Sequence, residues 1–216
     1  MKRLMTLFAF LVLLVAAPAQ AQFDLMGGQF DLASMQRMQF EPIRMLSQPP
    51  VEKELKLDKS QKEAVKKLLK ENVEAIKEEA KEGPNRDLEK VTARQNELNA
   101  RAKALLREDQ RKRLAEIHVQ ALGDEAVFDP EIQAGLSLTA PQKTSLAEVS
   151  KQNSMARLNM MKGVSIFNTG GIKKKQDAAA AEMREKTAKI LTTEQKTRLK
   201  TMEGAPFKDL KKITGQ

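Results

Sequence analysis

After Pro50 the phrase Leu-x-x-x-Gln occurs four times, at Leu57 to Gln61, Leu106 to Gln110, Leu138 to Gln142 and Leu191 to Gln195. In three of them Asp58, Thr139 or Thr192 follows the leucine, which sets a capping residue three positions before glutamine. That is the pattern of a capping box. The Asp or Thr oxygen accepts the N–H three residues on, and the glutamine reaches back to the N–H of the cap. Each phrase therefore marks a helix start, with a leucine just outside it positioned as a hydrophobic staple. A chain with four such starts is committed to several helices separated by sharp joints.

The spacing organises those starts into pairs. Gln61 to Gln110 is 49 residues and Gln142 to Gln195 is 53, while Gln61 to Gln142 is 81 and Gln110 to Gln195 is 85. The flanks agree, since Gln110 leads into Arg-Lys-Arg-Leu114 and Gln195 into Lys-Thr-Arg-Leu199. The expectation is two tandem copies of one helical unit, at 51–122 and 138–216, joined by a connector over 123–137. The alternative is capping chemistry that recurs independently in an all-helical chain.

The phrases resemble the LTxxQ motif of the periplasmic proteins typified by Spy and CpxP. The match is closest at Leu138-Thr139-Ala-Pro-Gln142 and Leu191-Thr192-Thr-Glu-Gln195; the other two keep the ends and lack the threonine. The resemblance covers roughly residues 55–202. It implies an α-helical hairpin that forms cradle-shaped dimers and serves as an ATP-independent chaperone or envelope-stress adaptor. Family members carry two motifs per chain, so four suggest an intramolecular cradle, with a homodimer as the alternative assembly.

The N-terminus carries its own address. Lys2 and Arg3 precede an apolar run from Leu4 to Ala17, and Ala19-Gln20-Ala21 fits the small-x-small rule, so cleavage between Ala21 and Gln22 and a periplasmic or otherwise exported location are expected. The run is too short for a membrane span, and no other stretch is apolar enough to make one. With no cysteine, the chain offers no lipid-anchor thiol, disulfide or thiolate metal site.

Charge narrows the partners. The formal net charge is +9, which loss of Lys2 and Arg3 lowers by two. With neither Trp nor Tyr to stack on bases, and with export expected, nucleic acid is not the anticipated partner. Anionic envelope surfaces or acidic unfolded polypeptides suit the charge better. Lys173, Lys174 and Lys175 form the sharpest basic cluster.

Composition after Pro50 is rich in Ala, Leu, Lys, Glu, Gln and Arg, and the fold class expected is all-α: long helical hairpins with coiled-coil-like packing. A first helix from Asp58 to Glu82 places Val65, Leu69, Val73, Ile76 and Ala80 along one stripe, and Gly83-Pro84 ends it. A second carries the heptad Leu88, Val91, Gln95, Leu98, Ala102, Leu105, then bends or breaks at Leu106-Arg107 and restarts over Glu108 to Leu122. Further helices are expected over Pro130 to Gly135, Gln142 to Met161, Ile172 to Leu191 and Thr193 to Met202, with a frayed turn from Pro206 to Ile213. Stripes this narrow favour hairpins with a shallow apolar concave side.

The segment 22–50 reads differently, as a mobile Met- and Gln-rich arm. Met35, Met38 and Met45 are candidates for client contact, together with the Lys173–Lys175 tract, because methionine adapts to varied surfaces. The same methionines could hold Cu(I), although no cofactor or metal site is otherwise indicated. Catalysis finds no footing. His118 stands alone as a surface or packing residue, and no nucleophile triad, zinc motif, phosphate loop or acidic dyad is present. Two function classes remain: a chaperone-like protein that holds unfolded envelope proteins, and a regulatory or metal-responsive adaptor docking on a sensor's periplasmic domain. A coiled-coil spacer is the structural alternative.

Overall fold

A computed structural model describes residues 39–81, 87–162 and 169–215. Among these residues the fold is all-α, with one 3₁₀ segment and no strand. The order is α1 (Pro42–Leu46), α2 (Pro49–Glu54), α3 (Lys59–Lys81), α4 (Leu88–Ala104), α5 (Glu108–Leu122), the 3₁₀ segment (Gly123–Phe128), α6 (Pro130–Gly135), α7 (Ala140–Lys162), α8 (Thr169–Ile190), α9 (Thr193–Met202) and α10 (Leu210–Thr214). Helices α3 and α4 pack together with α1 against both; α7 and α8 pack together with the 3₁₀ segment against both. Helix α5 adjoins the 3₁₀ segment, α9 and α10.

Local chemistry explains the joints. Proline at the first turn starts α1, α2 and α6, where a missing N–H costs nothing. Helices α2 and α6 end identically. Leu57 N–H bonds Glu52 O and Lys56 N–H bonds Lys53 O; Leu138 N–H bonds Gln133 O and Ser137 N–H bonds Ala134 O. This is the Schellman closure, and it needs a left-handed residue. Lys56 and Ser137 supply it at φ 50° and 53°, where glycine would be the unstrained choice. Helices α3 and α7 then begin 81 residues apart and both run for 23 residues.

The seam of the first hairpin departs from the expected stripe. Val65, Leu68 and Asn72 are buried on α3, while Val73 is 48% exposed. The inward face follows steps of four, three, four and seven through Gln61, Val65, Leu68, Asn72 and Glu79, so a stripe drawn through apolar residues alone drifts off it. Asn72 holds the seam because Arg94 from α4 donates to its Oδ1 and to both Glu79 oxygens. Glu79 is thus an inter-helix partner rather than a solvated charge; Glu78 fits that description, paired with exposed Lys81. On α4 Leu98 and Ala102 are buried as the heptad requires, and Gln95 donates to Glu41. The chain breaks at Leu105 to Arg107 and restarts at Glu108.

Three expectations are corrected by the packing. Residues 39–50 of the segment read as an arm are built into the core: Ile43, Met45 and Leu46 are fully buried, as is the following Val51, and Phe40 is nearly so. Their apolar side chains fill the α3–α4 hairpin, each burial worth roughly 1.5–3 kcal/mol. The C-terminal turn is not frayed, because Phe207 and Ile213 are buried and α10 packs on α5. The apolar residues form one contiguous core, and Val73 is the only large hydrophobic exposed among the described residues. The shallow apolar face expected of the hairpins is absent from them. Gly83-Pro84 and Gly163 to Asn168 lie outside the described residues.

Candidate functional site

The four glutamines meet two by two. Gln61 Nε2 donates to Gln110 Oε1 at 2.8 Å, and Gln110 Nε2 returns a bond to Gln61 Oε1 at 3.2 Å. Gln142 and Gln195 make the same reciprocal pair at 2.8 and 3.1 Å. Each oxygen also accepts the N–H of its own cap residue: Asp58 at 3.1 Å, Arg107 at 2.9 Å, Thr139 at 3.0 Å and Thr192 at 2.9 Å. In three of the four, the free amide hydrogen closes the helix end that precedes the partner glutamine's helix. Gln61 donates to Leu105 O, Gln110 to Leu55 O and Gln142 to Ile190 O, all within 2.8–2.9 Å. One side chain thereby starts its own helix, ties it to the partner helix and caps a carbonyl that a helix end leaves open.

Asp58, Thr139 and Thr192 complete their boxes by accepting from Gln61, Gln142 and Gln195 N–H at 2.8, 3.4 and 3.2 Å. Leu57, Leu106, Leu138 and Leu191 are all buried. They are not staples, however. A staple partner would sit one turn into the helix, and those positions hold Lys62, Arg111, Lys143 and Lys196. The leucines face the inter-helical core instead. Sequence reasoning located the helix start at each of the four phrases but missed the amide pairing, whose signal was the 49- and 53-residue spacing of the glutamines.

A second polar joint surrounds His118. Its Nδ1 lies 2.8 Å from Phe40 O and its Nε2 3.2 Å from Asp129 Oδ2. A carbonyl oxygen only accepts, so Nδ1 carries a proton in this contact. Burial works against the Asp129 charge. The hydrogen bond and charge of His118 outweigh it, together with the N–H groups of Ile132 and Glu131, and hold the carboxyl below its usual range. Glu41 behaves oppositely: burial pushes its pKa up, against the lowering effect of Asn99, Arg44, Gln95 and His118. Arg113 makes a third joint, donating to Glu54, Glu116 and Ala205 O and so linking α2, α5 and the C-terminal loop. Gly204 beside it has φ 60°, and a Cβ there would fall 2.2 Å from Glu116 Cδ.

The remaining candidates scatter. Met45 is withdrawn as a client or copper contact because it is fully buried, and Met35, Met38, Ala21 and Gln22 lie outside the described residues. Lys174 and Lys175 are exposed on α8; Lys173 shares that helix. A larger set of free cations, on α3, was not singled out from the sequence. Among the described residues no group of three His, Cys, Asp or Glu residues converges as a metal site, and no helix is long and apolar enough to cross a membrane. Comparison with protein-family models, curated proteins and solved structures returns no match.

Proposed function

We propose that this chain is a tandem pair of one helical unit acting as an exported, ATP-independent binding protein that holds unfolded envelope proteins. The observation that carries the reading is the pairing of the four Leu-x-x-x-Gln phrases, two by two, each pair tying a long helix to the one that follows its partner. The matching Schellman closures at Lys56 and Ser137 support the tandem unit, as do the equal lengths of α3 and α7. The N-terminal leader pattern supports export, and the resemblance to the LTxxQ family supports the chaperone class. Client contact falls to exposed Lys174 and Lys175, with Lys173 and the preceding Met35 and Met38. The test is whether the protein, below equimolar ratio and without ATP, suppresses aggregation of a denatured model substrate. Suppression is expected, and its complete absence overturns the reading.

One observation favours a second reading, an adaptor that docks on a sensor's periplasmic domain. The described surface exposes a single large hydrophobic, Val73, and charge dominates the rest. A folded partner met by charge suits that surface better than an unfolded one. A saturable complex with one envelope protein, without suppression of aggregation, separates the two.

A further inference from the structure

Four lysines on the outward side of α3 have no partner among the described residues. Lys59, Lys66, Lys67 and Lys70 are exposed, and none forms an ion pair or hydrogen bond with another described residue. They lie opposite the seam of Gln61, Val65, Leu68 and Asn72, on a strip about 16 Å long at 1.5 Å per residue. Glu63 is the acid within the strip, leaving three net positive charges. Lysines elsewhere on the same helix do pair, Lys62 with Glu52, Lys77 with Glu74 and Lys81 with Glu78, whereas these four hold no carboxylate among the described residues.

The second hairpin shows that the strip is not required by the fold. Helix α7 has the same length and the same capping box, and 81 residues on it carries Ala140, Ala147, Glu148 and Lys151 at the four corresponding positions. The same helix therefore forms without three of the four cations, Lys151 alone keeping the place of Lys70. We propose that the outward face of α3 is a docking surface for an anionic lipid bilayer. A row of point charges on a straight helix matches a plane of mobile phosphates, which adjust to it. A structured partner would instead call for the forked geometry of arginine. The absence of Trp and Tyr argues against nucleobases. With only Val73 exposed beside the strip, attachment is peripheral and electrostatic rather than by insertion.

The test is flotation of the protein, recovered from cells expressing the full chain, with vesicles of equal phosphatidylglycerol and phosphatidylcholine, and with phosphatidylcholine alone. The informative variant gives α3 the residues of α7: Lys59→Ala, Lys66→Ala and Lys67→Glu together. Each lysine near an anionic surface is worth about fivefold in partitioning, so this change of four charges should weaken binding on the order of several hundred-fold. The triple arginine variant should retain it. Molar salt, with a Debye length of about 3 Å, should release the wild type. Should the triple variant melt early, Lys70→Glu alone carries the test, with about a 25-fold loss expected. Unchanged vesicle binding in a folded variant overturns the proposal, as does equal binding to neutral vesicles. So does retention on polyglutamate, lost in the variant, without vesicle binding. Client capture is read separately by the aggregation assay.

Discussion

Gln110→Ala is the substitution with the largest expected cost at the motif glutamines. Gln110 is 2% exposed and makes four hydrogen bonds: it accepts from Arg107 N–H and Gln61 Nε2, and donates to Leu55 O and Gln61 Oε1. Truncation leaves Leu55 O without its donor beneath a residue that is itself buried, and removes half the amide pair. A net hydrogen bond is worth about 1 kcal/mol, and a stranded buried acceptor costs about 1–3. Arg107 N–H and Gln61 recover part of the loss, because Arg107 is exposed and Gln61 keeps its bond to Leu105 O. The expected destabilisation is about 3 kcal/mol, or roughly 6–12 °C in melting temperature for a chain of this size. Gln195→Ala should cost about half as much, since Gln195 is partly exposed and donates only to Gln142. Guanidinium unfolding followed by circular dichroism at the helix band measures both. If the two costs were equal, or Gln110→Ala cost under about 0.5 kcal/mol, burial of the lock would not be what stabilises it.

Three more expectations follow from the joints. Lys56→Gly and Ser137→Gly should each stabilise by about 0.5 kcal/mol in the same unfolding assay, relief of left-handed strain exceeding the entropy glycine gains when unfolded. The raised pKa of Glu41 gives stability that is fully present below its unfolded value and lost as pH rises through the folded one. The lowered pKa of Asp129 gives stability present above its unfolded value and lost as pH falls through the folded one. Stability should therefore rise on mild acidification from neutrality and collapse below the ordinary aspartate range. Glu41→Gln should flatten the rise and Asp129→Asn the collapse, as read from melting temperatures across pH. Thr139→Ala with Thr192→Ala should cost about 1–2 kcal/mol in total while the helix content stays native.

Helix bounds were legible because caps are local chemistry: Glu108–Leu122, Pro130–Gly135 and Thr193–Met202 fall where the sequence puts them. What a cap residue does after capping is not local. Gln61 reveals its helix start in four letters, but its partner lies 49 residues away, and only the similar spacing of the two pairs hinted at the contact. The phase of α3 was misread because periodicity was drawn through apolar residues, whereas Arg94 lets Asn72 occupy the seam and turns Val73 outward. The segment before Pro50 was misread through its Gln-rich composition. Phe40, Ile43, Met45 and Leu46 are few, yet all are buried, and Pro42 starts the helix that carries the last three. The α3 lysines escaped notice because charge on a helix reads as solvation until its partners are counted.

The most direct test of the account is the pattern of coupling among the four glutamines. Double-mutant cycles to alanine should give about 1–2 kcal/mol between Gln61 and Gln110, and a similar value between Gln142 and Gln195, from the two bonds each pair shares. The crossed cycles, Gln61 with Gln195 and Gln110 with Gln142, should give no coupling beyond about 0.3 kcal/mol. Coupling spread evenly over all pairings, or absent within the pairs, would contradict the two locks and with them the tandem unit.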